Sequence, residues 1–418
     1  MYANGLTASS PVLVNTAALV ATEGLLPHDQ KRLRVTRLPV ALLGVAFDNL
    51  TLRETVDRIE EMIASRLPHY VATANVDFLA LARRDEQLQR ILLNAPLVLC
   101  DGTPLVWASR LFGNTLPERV AGADVMPELI RLAARKNYRL FFLGATEEVN
   151  ACAIAKLRLE FPSIEISHFS PPFRPLSEKD NAEIVRRIRA SKPDMLFVAF
   201  GCPKAEKWIA KHYHELSVPV AMGVGATIDF LAGRVKRAPH WMQHSGTEWL
   251  YRLSQEPRRL FKRYANDLWF FGTAMVRQWW TMRLMGDSQT SSQTTIIQSN
   301  GSWQRVNAAS SLNKDSIQRS AAQWKEIAGA DRHCLLELGE TKSMDSTGVA
   351  LLVHLKKRLS ASGRQLILLS PSPVVRRALK AMWLQAFFGV ATDALKARAM
   401  IAARLREAKQ EYLLEQAA

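Results

Sequence analysis

Residues 246–264, GTEWLYRLSQEPRRLFKRY, gather four arginines (Arg252, Arg258, Arg259 and Arg263), Lys262 and four large aromatics around one Glu-Pro step. A guanidinium presents a rigid fork of donors that matches phosphate oxygens, and aromatic rings settle where an apolar surface meets water. The segment therefore suits a phosphate-rich ligand held beside an apolar surface, and the plainer reading is a solvated basic face over a core stripe. Further polar residues follow short apolar runs. Thr73 and Asn75 end one such run, and Asp101-Gly102 follows LVLC. A carboxylate at Asp101 could take the proton of an attacking hydroxyl, against the alternative of a turn-forming aspartate. Gly144 in LGAT could bring backbone N–H groups to a phosphate, although Glu147 and Glu148 close behind it would repel one. Arg119, Lys204, Glu206, Asp229 and Arg237 complete the set, each with an ion pair or a helix start as its bland rival.

These residues need a scaffold, and residues 38–245 supply one. Short β-rich runs at 39–44, 69–74, 96–100, 139–143, 195–200 and 218–224 alternate with amphipathic helical stretches. Thr51 followed by Glu54 is a capping box ahead of Val56, Ile59 and Ile63. Such alternation predicts a Rossmann-like α/β domain, a parallel sheet covered by helices with ligands at the carboxyl ends of the strands. TAN, CDG, LGAT, FGCP and VGAT each follow a predicted strand. Pro257 divides the basic segment into a piece near 246–254 and a helix from 257 to about 283. Along that helix Leu260, Phe261, Tyr264, Leu268, Phe271, Met275, Trp279 and Met282 recur at helical spacing, to face a lipid boundary, their own domain or a sister subunit.

The chain has 418 residues and a formal charge of +16, which calls for an acidic partner. Residues 231–283 hold ten Lys/Arg against three Asp/Glu and five of the ten tryptophans, so the charge is concentrated beside aromatics. No zinc-finger spacing, RNP-type aromatic motif or helix-turn-helix is apparent, which sets nucleic acid aside in favour of an anionic membrane surface and a diphosphate substrate. Cys100, Cys152, Cys202 and Cys334 stand apart and fit a reducing cytoplasm. No run approaches the roughly 20 apolar residues needed to span a bilayer, so membrane contact is expected to be peripheral, on the inner face. His240 and His244 are four apart without a third ligand, and no Asp-x-Asp is present, so no metal and no cofactor are expected. Residues 1–35 read as a disordered leader, 36–245 as the α/β core, 246–285 as a basic appendage, 286–302 as a polar linker and 303–418 as a second domain.

TANVDFL, LCDGTPLVW, ERVAGAD, FFLGAT, FGCPKAEKW, GVGATIDFLAG, RAPHW and the basic segment occur in the order seen in the WecG/TagA/CpsF glycosyltransferases, which this chain resembles over about 245 residues. The resemblance implies transfer of a sugar from a UDP-sugar to a polyprenyl-diphosphate-linked acceptor, by an inverting, metal-independent reaction in surface polysaccharide assembly. It further implies that Asp101 is the base, that Thr73, Asn75 and Gly102 lie in the pocket, and that Arg119 is near a diphosphate. Gly144, Lys204, Glu206, Asp229 and Arg237 would lie near donor or acceptor. Arg252, Arg258, Arg259 and Arg263 would reach diphosphate from an appendage docked over the site at the membrane. Ala205 departs from the family's usual glutamine, which leaves open a transferase-like scaffold of reduced activity.

Residues 334–359, CLLELGETKSMDSTGVALLVHLKKRL, with GRQLILLSPSPVVRRAL at 363–379 and Phe387-Phe388, resemble a STAS domain, the fold of anti-sigma-factor antagonists and sulfate-transporter tails. The resemblance implies a smaller α/β domain that regulates or docks through a cytoplasmic protein partner. Ser346 matches the phosphorylated serine of the antagonists, with helix capping by Asp345 or Ser346 as the simpler reading.

Overall fold

A computed structural model describes residues 37–283, 294–299, 301–403 and 406. The expected leader lies outside the described residues, as do 286–293 and 300 within the expected linker. The first half is built on strands β1 (Val40–Leu42), β2 (Val45–Phe47), β3 (His69–Ala74), β4 (Leu97–Cys100), β5 (Leu140–Gly144), β6 (Ile166–Phe169), β7 (Met195–Ala199) and β8 (Val220–Gly223). Six of them form one parallel sheet in the order β4-β3-β8-β7-β5-β6. Successive side chains of a strand point to opposite faces, so each face carries its own core. Phe141, Leu143, Leu196 and Val198 pack on one side, and Phe142, Phe197, Val71 and Met222 on the other. Burial on both faces explains the continuous apolar runs. The helix Leu52–Ser65 starts with the expected capping box, the Thr51 hydroxyl accepting from the Glu54 amide at 3.2 Å.

Two departures from the predicted elements have local causes. Residues 39–44 do not join the sheet: β1 and β2 form a separate antiparallel hairpin, Val40 opposite Phe47, turned by Leu43 and Gly44 at φ 48° and 85°. Two left-handed residues in a row are what a tight hairpin turn requires, and Gly44 is the sequence mark of it. Strand β6 went unpredicted because it is a short sheet edge whose Ser167, His168 and Phe169 are not buried.

The second domain adds β9 (Thr295–Ser299), β10 (Trp303–Asn307), β11 (Ser311–Leu312), β12 (His333–Glu337), β13 (Ser343–Met344), β14 (Leu366–Leu369) and β15 (Gly389–Ala391). Five strands run in the order β15-β14-β12-β10-β9, all neighbours parallel except the β9–β10 pair. Residues 295–299, expected as linker, are therefore an edge strand. The two halves share a core: Ala41, Ala46 and Leu93 pack in one apolar cluster with Val349, Leu352, Met382 and Phe388. Gly44 sits where any Cβ would strike the Met382 carbonyl.

Gly44→Ala should therefore combine left-handed strain with a clash across this contact and cost about 1–3 kcal/mol, read as a lowered denaturant midpoint. An unchanged midpoint would show that the hairpin turn is not held against Met382.

Candidate active site

Asp101 directly follows β4, and its backbone N–H donates to Ala74 O at 2.9 Å, so the ends of β3 and β4 are tied together. Asn75 follows β3 and caps the helix Val76–Ala82, its Oδ1 accepting from the Phe78 amide at 3.1 Å. That cap uses only the carbonyl oxygen and leaves the amide NH2 for another contact. Thr73 is buried, its hydroxyl against Gly122, where an added Cβ would lie 3.4 Å away. Gly102 is extended (φ −170°) and begins the helix Thr103–Arg110 without a side-chain cap. A Cβ there would lie 3.7 Å from that of Asn75, in ordinary contact.

Val120 N donates to Cys100 O at 2.8 Å, which lays residues 118–121 beside the end of β4 and brings Arg119 to Asp101. Arg119 stands 3.8 Å from Asp101 Oδ1, 2.9 Å from Asp124 Oδ2 and 3.3 Å from Glu248 Oε2. The adjacent Glu118 turns elsewhere and accepts from the Leu52 amide. Arg237 reaches Asp124 at 2.7 Å and Glu248 at 3.4 Å, and Arg252 reaches Glu248 at 3.1 Å. Three guanidiniums thus converge on Glu248, which is only 7% exposed. Burial pushes the Glu248 carboxyl upward, yet Arg237, Arg252 and Arg119 together hold it below its ordinary range. Asp101 has the opposite balance: burial raises its carboxyl, Arg119 and Arg252 pull it down, and Asp124 and Glu248 add to the rise, with the net effect upward. About a quarter of its side chain remains open to solvent, so an acceptor hydroxyl could reach a carboxylate tuned toward proton affinity.

Other sequence candidates fall differently. Gly144 is left-handed (φ 98°) with no room for a Cβ against the Ala199 carbonyl, but β5 lies four strand positions from β4, roughly 19 Å at the usual spacing. Its glycine serves the turn, and the structure does not bring it to Asp101. Lys204 begins the helix Lys204–Leu216 and is exposed. Glu206 in the same turn is 8% exposed and leans over Gly223, where a Cβ would sit 2.6 Å from Oε1. Burial pushes its carboxyl up to about 7, and Oε2 has no hydrogen-bond partner among the described residues. Ala205 is fully buried beside it. Asp229 lies within the first turn of Thr227–Ala232, whose N-cap is Ala226, so it does not cap that helix.

The appendage comprises the helices Glu248–Gln255 and Pro257–Arg283, preceded by the short helix His240–His244, and the break at Glu256-Pro257 falls where expected. Arg263 approaches Asp77, beside Asn75, at 3.9 Å, and Arg258 is exposed. The side chains of Arg259, His240 and His244 lie outside the described ones. The predicted apolar stripe is corrected: Leu260, Phe271 and Met275 are buried, whereas Phe261 and Leu268 point to solvent. Among the described residues no three His, Cys, Asp or Glu side chains group so as to hold a metal ion. Glu248 and Asp124 were missed as site residues. The one available signal for Glu248 was a lone acid at the head of a basic segment.

In the second domain Asp345 caps the helix Ser346–Ala361, its Oδ1 accepting from the Gly348 amide at 2.8 Å. Ser346 is fully buried, with no partner for its hydroxyl among the described residues, so a kinase would meet it only after that turn opened.

The sequence profile of the glycosyl transferase WecG/TagA/CpsF family matches residues 40–284, and that of the STAS domain matches 306–397. The chain is similar to the N-acetylglucosaminyldiphosphoundecaprenol N-acetyl-beta-D-mannosaminyltransferases of Staphylococcus aureus strains MW2 and MRSA252. Each is 30% identical over 241 residues, 57% of this chain and 93% of the relative.

Removing the central carboxylate would leave three guanidiniums with only Asp124 and Asp101 to offset them, so Glu248→Gln should cost roughly 3–5 kcal/mol at pH 7. A carboxyl held low contributes stability above its unfolded pKa and loses it as pH falls through the folded value. The gap between wild type and variant should thus be widest near neutrality and shrink below about pH 4 in denaturant melts. A gap independent of pH would show that the charge is not what matters.

Proposed function

Because the chain belongs to the WecG/TagA/CpsF glycosyl transferase family and carries a STAS domain, we propose that it moves a sugar from a UDP-sugar to a polyprenyl-diphosphate-linked acceptor with inversion at the anomeric carbon. The observation that carries the reading is Asp101: a carboxylate at a strand end, partly open, raised by burial and flanked by Arg119. In this mechanism Asp101 takes the proton of the acceptor hydroxyl as its oxygen bonds to the anomeric carbon. The bond from that carbon to the diphosphate oxygen breaks, and the electron pair leaves with UDP. Thr73, Asn75 and Gly102 position sugar. Arg252, Arg258, Arg259 and Arg263 offset diphosphate charge, with Arg119 and Arg237 held in place by Glu248. The relatives' names indicate an acceptor that begins with N-acetylglucosamine on diphosphoundecaprenol, and the same acceptor class is proposed for this chain.

We further propose that the enzyme works at the inner face of the membrane. No helix among the described residues is long and apolar enough to cross a bilayer. The helix Pro257–Arg283 nevertheless exposes Trp269, Val276 and Trp280 on the side away from its packed face and Phe261 and Leu268 on its flank, with Trp241, Trp249 and Leu250 exposed close by in sequence. Arg258 and Lys262 share that exposed side. Rings for the interface and cations for anionic headgroups are the composition of a helix lying on a membrane. A second copy of the chain is the competing occupant. The STAS domain is assigned a regulatory or docking role.

Asp101→Asn should lower turnover about 10²–10⁴-fold while thermal stability and UDP binding stay near wild type. Near-normal transfer by the pure variant would remove Asp101 from the chemistry, and no transfer by wild type with any UDP-sugar would favour the scaffold reading left open by Ala205.

Arg258→Glu with Lys262→Glu should abolish co-sedimentation with vesicles containing anionic lipid, and wild-type binding should weaken as salt rises. Salt-independent binding by both proteins, or a dimer dispersed by the double variant, would point away from lipid.

A further inference from the structure

The contact between the two domains converges on Trp383. This residue follows the helix Pro373–Ala381 and adopts φ 56°, a left-handed conformation that a tryptophan rarely takes unless its surroundings hold it there. Its ring meets two guanidiniums of the transferase half, Arg83 at 4.8 Å and Arg277 at 4.7 Å from the centroid, and stacks on Phe270 at 6.2 Å. Its carbonyl accepts from Gln89 Nε2 at 3.2 Å, and Arg277 Nη2 donates to the neighbouring Ala381 carbonyl at 3.0 Å. Phe270 and Arg277 belong to the helix Pro257–Arg283, while Arg83 ends the helix that Asn75 caps. One residue further along, the fully buried Gln278 donates to Ala41 O at 3.1 Å and accepts from Leu43 N at 2.9 Å, fixing the same helix to the hairpin.

We propose that the STAS domain has the transferase half of its own chain as a docking partner, and that Trp383 is a positioning residue that fixes the helix Pro257–Arg283 for substrate binding. The grip lies near the C-terminal end of the helix, whose first turns also pack through Leu260. Arg277 lies in the grip, and Arg263, fourteen residues back and about 21 Å along the axis, meets Asp77 beside the pocket. Loosening the grip lets the helix tilt or fray and moves its arginines off the diphosphate, while Asp101, on the sheet, stays in place.

The test is made on the full chain with Trp383→Ala and Trp383→Phe, by hydrogen–deuterium exchange and by transfer kinetics. The proposal expects exchange in 257–283 to rise at least tenfold in the alanine variant and to return toward wild type in the phenylalanine variant, with β3, β7, β12 and β14 still protected. On the proposed transferase reading, KM for the lipid-linked acceptor rises about tenfold with kcat within about threefold. Unchanged exchange in 257–283 overturns the grip, and raised exchange with unchanged KM overturns the positioning role. Should Trp383→Ala also expose β12 and β14, Arg83→Ala with Gln89→Ala loosens the contact from the transferase side: the same exchange pattern supports the proposal, and a wild-type pattern sinks it. Exchange needs no turnover, so a wild type without transferase activity would fail the functional reading and leave the grip decided.

Discussion

One buried carboxylate, Glu248, touches three guanidiniums, and the mouth of the sheet is tied together through it. Glu248 comes from the appendage, Arg119 from the loop beside β4 and Arg237 from the stretch after β8, so the contact joins three separate parts of the chain. Asp101, Asp124 and Glu248 together offset Arg119, Arg237 and Arg252, which leaves the cluster close to neutral before any ligand arrives. A diphosphate entering such a cluster cannot rely on a standing positive field there. It must exchange partners with a carboxylate or draw on the more exposed Arg258 and Arg263. The same balance lets Asp101 sit 3.8 Å from Arg119 and still have its proton affinity raised, since burial, with Asp124 and Glu248 adding to it, outweighs the pull of Arg119 and Arg252.

What could be read from the sequence follows the physics of burial. Strands covered on both faces leave unbroken apolar runs, so β3, β4 and β7 stand close to where their residues predict. The edge strands β6 and β9 lack that signature: one is half-polar, and the other sits in a Ser/Thr-rich stretch that also reads as a linker. Asp101, Thr73 and Asn75 are legible because they end strands at one corner of the sheet. Gly144 also ends a strand, but the order of strands, invisible in the sequence, carries it to the other side. Glu248 could not be weighed without knowing that two distant arginines would find it. The helix Pro257–Arg283 misled for a related reason: apolar residues lie on two of its sides, and periodicity alone merges them into one stripe.

That helix links the transferase core, the outer surface and the second domain. One side completes the core of the transferase with Phe271, Ala274 and Met275, the opposite side presents rings and cations outward, and its last turns hold the STAS domain. A flexible tether between domains would let each be treated alone. Here the shared apolar cluster of Ala41, Leu93, Val349 and Met382 makes them parts of one packing problem.

The tight fit of Gly44 under the Met382 carbonyl has a bearing on how such a chain can vary. A transferase module recombined with a foreign tail would have to bring along, or reacquire, a hairpin turn without a side chain, a glutamine at 278 and a pair of arginines spaced to flank one indole. Drift on either side of the seam is thereby coupled. A substitution on one side is felt on the other, and a chimera cut between the halves starts from a mismatched joint.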